Sequence, residues 1–127
     1  MAGLGHGGAA HMNAEWKNFL EGNGAEFDGT ERVVSFGNLR HELGATLNGN
    51  VFADLSHQGL LAVRGKDALE FLQGQLTNDL RQLGDGTSQL NGYCSAKGRL
   101  LASFRVIPGD DGFLLHMPRA MVEPLMK

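Results

Sequence analysis

The side chains that could do chemistry are few and scattered. Cys94 is the single cysteine of the chain. Lys97 and Arg99 follow it closely, and their charge would favour a nucleophilic thiolate. The plainer reading, a small buried strand residue with weak reactivity, is the expected one. Asp54 stands three residues before His57, a pairing that suits acid–base work. More often such an aspartate accepts hydrogen bonds from turn amides, and that role is expected here. Thr77-Asn78-Asp79 interrupts an apolar pattern with three polar residues. They would cap a second helical piece or, alternatively, form the polar wall of a ligand cavity. Lys97 and Arg99 could grip a carboxylate or phosphate, against the default of surface charge at a turn. His41 and Glu42 are adjacent, but no second ligand follows at helical spacing. The five histidines do not cluster, so no metal site is expected. Phosphate-loop, dinucleotide, zinc-protease and nucleophile-elbow motifs are absent. No catalytic residue is assigned.

The elements that must position these groups follow from periodicity. Residues 1–12 are Gly/Ala-rich without a period and read as a flexible leader or tag. Asn13 caps a short helix bearing Trp16, Phe19 and Leu20, stopped at Gly22 or Gly24. Residues 32–36 read as a strand. Residues 38–49 are ambiguous: Asn38 could cap a helical turn that Gly44 and Gly49 break. Residues 51–55 read as a strand, 56–59 as a turn and 60–64 as a second β segment.

A helix then starts at Lys66 or Asp67, with Leu69, Leu72, Leu76, Leu80 and Leu83 at spacings of three and four. Gly74 predicts a break, followed by a second short helical piece. Residues 88–94, 99–107 and 113–117 read as strands. Turns separate them at 95–98, where Gly98 suits positive φ, and at 108–112. Pro118 opens a last helix with Ala120, Val122 and Leu125 on its buried side. Adjacent hairpins predict an α+β fold, mainly an antiparallel sheet with flanking helices, rather than a parallel crossover fold.

Composition sets the limits. The chain has 127 residues, 42% of them hydrophobic and 20% charged, with 19 glycines and a net charge of −3. That suits one domain or part of one, residues 13–127. A single cysteine excludes a disulfide framework. The mild acidity does not favour nucleic acid or an anionic membrane. No apolar run is long enough to span a bilayer. These features suggest a cytoplasmic protein.

From Asp54 to Phe104 the residues become distinctive. D-L-S-H-Q-G-L-L-A-V-R-G-K-D-A-L-E-F-L-Q-G-Q-L-T-N-D-L is followed by N-G-Y-C-S-A-K-G-R-L-L-A-S-F. The two stretches in this order closely resemble the N-terminal part of the YgfZ family, folate-binding proteins related to the aminomethyltransferase (T-protein) of the glycine cleavage system. The closing F-L-L-H-M-P-R-A-M-V-E-P-L-M-K is similar too, so the resemblance spans roughly residues 30–127.

The resemblance implies the N-terminal part of the aminomethyltransferase folate-binding fold, truncated at its C-terminus. It also implies tetrahydrofolate as cofactor and an accessory role in assembling or repairing iron–sulfur enzymes, hence in tRNA modification, without direct nucleic-acid contact. Cofactor-binding residues are then expected at Asp54, Gln58, Gln75, Asn78 and Arg99. The family's later K-G-C-Y-x-G-Q-E segment is not in this sequence, and Cys94 does not correspond to its cysteine. The aminomethyltransferase branch carries G-G-x-x-D-D where this chain has Lys97-Gly98-Arg99-Leu100-Leu101-Ala102. Leu101 and Ala102 take the carboxylate positions and accept no proton, which disfavours one-carbon transfer. A folate-dependent transferase and a ligand-free protein-interaction domain are the alternatives. A truncated fold would also expose apolar surface and self-associate.

Overall fold

A computed structural model describes residues 12–127; residues 1–11 of the leader, with His6 and His11, lie outside the described residues, and Met12, expected as the leader's last residue, is buried. The chain divides into two compact units, one ending at His57 and one running from Gln58 to Lys127. Each is described by itself.

The first unit is helical with a small hairpin. Helix α1 spans Ala14–Gly22, and Asn13 caps it by accepting from the Trp16 amide at 3.0 Å. Leu20 is its buried side chain, and Trp16 stacks on Phe19 with ring centroids 5.3 Å apart. Strands β1 (Glu26–Phe27) and β2 (Val33–Ser35) pair antiparallel. One carboxylate oxygen of Asp28 closes their connection, accepting from Thr30 N, Thr30 Oγ1 and Arg32 N.

Helix α2 spans Leu39–Asn48, ten residues where the sequence suggested a turn at most. Its N-terminal end is satisfied by two side chains. The Asn38 side chain accepts from the His41 amide at 3.0 Å, and Glu42 reaches back to the Phe36 amide at 2.8 Å. Gly44 sits inside it on an open surface. Residues 51–55, expected as a strand, have no ladder partner among the described residues and form none.

The second unit is a four-stranded antiparallel sheet in the order β3-β6-β5-β4. Its strands are β3 (Gln58–Arg64), β4 (Gln89–Cys94), β5 (Leu100–Gly109) and β6 (Gly112–Pro118). The α+β reading from sequence therefore holds. Side chains alternate between faces. Ala102, Phe104 and Val106 of β5 and Leu115 and Met117 of β6 point into the core, with Leu61 and Val63 of β3 and Tyr93 of β4 beside them.

Helix α3 (Ala68–Gln73) and a 3-10 turn at Leu80–Gln82 cover that face with Leu72, Leu76, Leu80 and Leu83. Four leucines of the stripe thus pack in the core while Leu69 is exposed, and the break falls at Gly74 as its position suggested. A 3-10 turn at Arg119–Met121 and helix α4 (Val122–Leu125) close one end with Met121, Val122 and Leu125. Ala120, expected on the buried side, is exposed.

The β5–β6 turn is tighter than expected. The ladder continues through Pro108↔Phe113 to Gly109↔Gly112, leaving Asp110-Asp111 as the loop. Pro118 ends β6 rather than lying inside a helix.

Candidate functional site

The five residues expected to bind folate occupy different surroundings. Asp54 belongs to the first unit and lies in the irregular stretch before the Ser56-His57 turn. Its Oδ1 accepts three hydrogen bonds: from Trp16 Nε1 at 2.8 Å, Ser56 Oγ at 2.6 Å and Ser56 N at 3.3 Å. Burial pushes the carboxyl up, but the bonds from Ser56 and Trp16, with nearby His57, outweigh it and hold it below its ordinary value of 3.8. Asp54 is therefore a fixed carboxylate. Among the described residues its Oδ2 has no hydrogen-bond partner. The turn role expected for it is present. The bond to Trp16, thirty-eight positions away, had no signal in the local sequence.

The other four belong to the sheet unit. Gln58 opens β3, opposite Pro118, on one edge of the sheet. Gln75, Asn78 and Arg99 lie near the other edge, around β4. Three strand spacings separate the edges, roughly 14 Å. The structure therefore does not gather these four into one cluster.

Asn78 is engaged: its amide group donates to the Leu90 carbonyl at 2.6 Å, and its backbone N–H donates to Asn91 Oδ1 at 3.0 Å. Thr77 exchanges bonds with Gly92, through Thr77 N at 3.1 Å and through Thr77 Oγ1 at 2.9 Å. Asp79 caps the 3-10 turn by accepting from the Arg81 amide at 3.1 Å. Thr77-Asn78-Asp79 thus protects the outer edge of β4 and also caps the next turn. Gln75 and Arg99 are exposed, and their side chains make no hydrogen bond among the described residues.

Two features around β4 and β5 were not expected from the sequence. Asn91 is a buried polar residue, 2% exposed. Its side chain accepts from Asn78 N and donates to Gln89 Oε1 at 2.9 Å, so the burial is satisfied. The second feature is a bulge. Tyr93 pairs with Ala102, but Cys94 pairs with Leu100, leaving Leu101 as an extra residue. Leu101 is 52% exposed, while Ala102 is 6% exposed and faces the core. Of the two positions matched to carboxylates in the aminomethyltransferase branch, only 101 is accessible.

Cys94 is a free, half-buried thiol at the end of β4. A depression of about 380 Å³ lies around the β5–β6 turn, lined by Arg64, Asp110, Asp111 and Phe113 among others. None of the five expected residues lines it. No helix of the described residues is long and apolar enough to cross a membrane.

No family model matches the chain. It is similar to curated proteins named aminomethyltransferase. That of Shouchella clausii is 42% identical over 99 residues, which are 77% of this chain and 27% of that protein. That of Anoxybacillus flavithermus is 34% identical over the same shares. That of Mycobacterium avium is 34% identical over 76% of this chain and 26% of its own length. The chain spans about a quarter of the length of the curated relatives it matches. These relatives support kinship of the chain with the aminomethyltransferase superfamily.

Proposed function

We propose that this chain is a folate-binding segment of an aminomethyltransferase-related protein, with tetrahydrofolate as its ligand. The observation that carries the reading is the likeness to aminomethyltransferases over about three quarters of the chain. Asp54 suits the ligand's chemistry. A pterin presents a row of N–H donors, and an ionised carboxylate held through one oxygen offers the other as an acceptor. Gln58, Gln75, Asn78 and Arg99 remain the further polar contacts of this proposal, with Arg99 suited to a carboxylate of the glutamate tail.

Within this reading we favour a non-catalytic accessory protein of the YgfZ type, serving iron–sulfur enzymes and through them tRNA modification. Its support is the apolar pair Leu101 and Ala102. A leucine at the accessible bulge position has no group to take or give a proton. The second reading is an aminomethyltransferase, and the names of the relatives favour it. Incubation with tetrahydrofolate and an aminomethyl donor separates the two. Binding without formation of methylene-tetrahydrofolate is the expected result. Sustained turnover abolished by a substitution at Asp54 would establish the transferase reading instead.

A further inference from the structure

The two edges of the β3-β6-β5-β4 sheet differ in kind. At the β4 edge the outward backbone groups are occupied. Gly92 N donates to Thr77 Oγ1, the Gly92 carbonyl accepts from Thr77 N, and the Leu90 carbonyl accepts from the Asn78 side chain. At the β3 edge no further strand of the described residues follows.

The ladder shows which groups that leaves open. Gly65 N donates to the Asp111 carbonyl at 3.1 Å, in the same register as the neighbouring Arg64↔Gly112 pair. Hydrogen-bonded pairs alternate along an antiparallel ladder. Val63, Leu61 and Gly59 therefore turn their N–H and C=O groups toward β6, while Arg64, Ala62, Leu60 and Gln58 turn theirs outward. Among the described residues these outward groups have no hydrogen-bond partner. Exposed sheet edges are ordinarily blunted by a proline, a lysine or a bulge. β3 has none of these, and its register with β6 runs unbroken from Gln58 to Arg64.

The residues of β3 favour a second copy of the same strand as occupant. Antiparallel pairing joins outward residues to outward residues and keeps the faces of the two strands aligned. One register of β3 with itself uses all of the outward groups. It sets Leu61 on the two-fold axis, Leu60 opposite Ala62 of the second copy, and Gln58 opposite Arg64 of the second copy. Leu60, 59% exposed in the single chain, then packs beside an alanine methyl. The Gln58 side-chain oxygen meets a guanidinium that has no ion pair among the described residues, and no like charges are opposed.

We propose that β3 is a dimerisation edge, through which two copies of this chain join by antiparallel β3–β3 pairing into one continuous sheet. This inference is independent of the folate reading and needs no ligand.

The test joins sedimentation velocity to amide hydrogen exchange on the whole chain, under reducing conditions so that the free Cys94 thiol does not cross-link copies. The expected result is a monomer–dimer equilibrium in which protection of the Leu60 and Ala62 amides rises with protein concentration. Ala62→Pro removes an outward N–H from each copy and leaves the β3–β6 bonds in place, so it should weaken the dimer at least about tenfold. Gln58→Arg opposes two guanidinium groups at each end of the pairing and should weaken it as well. Adding Arg64→Glu to Gln58→Arg should restore it. A chain that stays monomeric up to millimolar concentration overturns the proposal; if its Leu60 and Ala62 amides are protected all the same, another segment covers the edge. A dimer that survives Ala62→Pro, in a variant with unchanged circular dichroism, is joined elsewhere and overturns it too. If Ala62→Pro does not fold, the Gln58→Arg series decides: no weakening, or no rescue by Arg64→Glu, refutes the β3–β3 pairing.

Discussion

Two glycines of the sheet unit provide a quantitative test of its register. Gly98, in the β4–β5 turn, has φ +75 and open space where a Cβ would go. Gly112, at the start of β6, has φ +138, and a Cβ there would lie far inside van der Waals contact of the Val63 carbonyl oxygen, with Arg64 Cα at 3.0 Å. Gly98→Ala therefore meets only the left-handed backbone penalty, about 1 kcal/mol. Gly112→Ala adds a backbone clash that no rotamer relieves. The strained dihedral alone costs about 1–3 kcal/mol. Relieving the clash means parting Arg64 from Gly112 and loosening the Gly65 N–Asp111 O bond of 3.1 Å. Each hydrogen bond given up costs roughly another 1 kcal/mol. The expected loss is about 3–5 kcal/mol, a large part of the stability of a small domain. Urea unfolding followed by circular dichroism measures both variants. Hydrogen exchange at the Val63 and Leu115 amides locates the damage at the β3–β6 pairing. Equal losses for the two variants, or a Gly112→Ala loss near 1 kcal/mol, would refute the pairing of β3 with β6.

Other substitutions test separate parts of the account. Asn91→Leu leaves the Asn78 amide without its acceptor and should cost about 1–3 kcal/mol by urea denaturation; a neutral outcome would remove the Asn91 network from the stability of the β4 edge. Leu80→Ala, at a side chain 2% exposed beneath the sheet, should cost about 3 kcal/mol in the same assay, whereas a loss under about 1 kcal/mol would mean that the 3-10 turn does not pack on the sheet. Because the folded-state value of Asp54 lies below 3.8, its contribution to stability is complete above pH 3.8 and is lost as pH falls through that lower folded value. Acid titration followed by Trp16 fluorescence should show this loss, and Asp54→Asn should remove that part of the pH dependence; an unchanged acid profile would contradict the assignment.

Much of the sheet unit was legible in the sequence, because its strands alternate cleanly and Gly65, Gly98 and the Asp110-Asp111 turn punctuate them. Local signals did not reveal which strands pair. The β3–β6 ladder joins residues 48 to 60 positions apart and rests on the shared core, not on turn chemistry. Helix α2 was hidden by Gly44 and Gly49, whose breaking tendency is offset by Asn38 and the reach-back of Glu42. Residues 51–55 carry strand-like composition, but a strand without a partner has no ladder to stabilise it. At the candidate site, Asp54 stood out by its turn position, whereas its Trp16 partner is a tertiary contact.

The central claim is that the protein binds tetrahydrofolate and that Asp54 contributes to holding it. Calorimetric titration of the intact protein and of its Asp54→Asn variant tests this most directly. Saturable heat with the unaltered protein and at least about tenfold weaker binding in the variant are expected, since a carboxylate that accepts hydrogen bonds from the ligand is lost. No binding by the unaltered protein, or equal affinity in the two, would contradict the account.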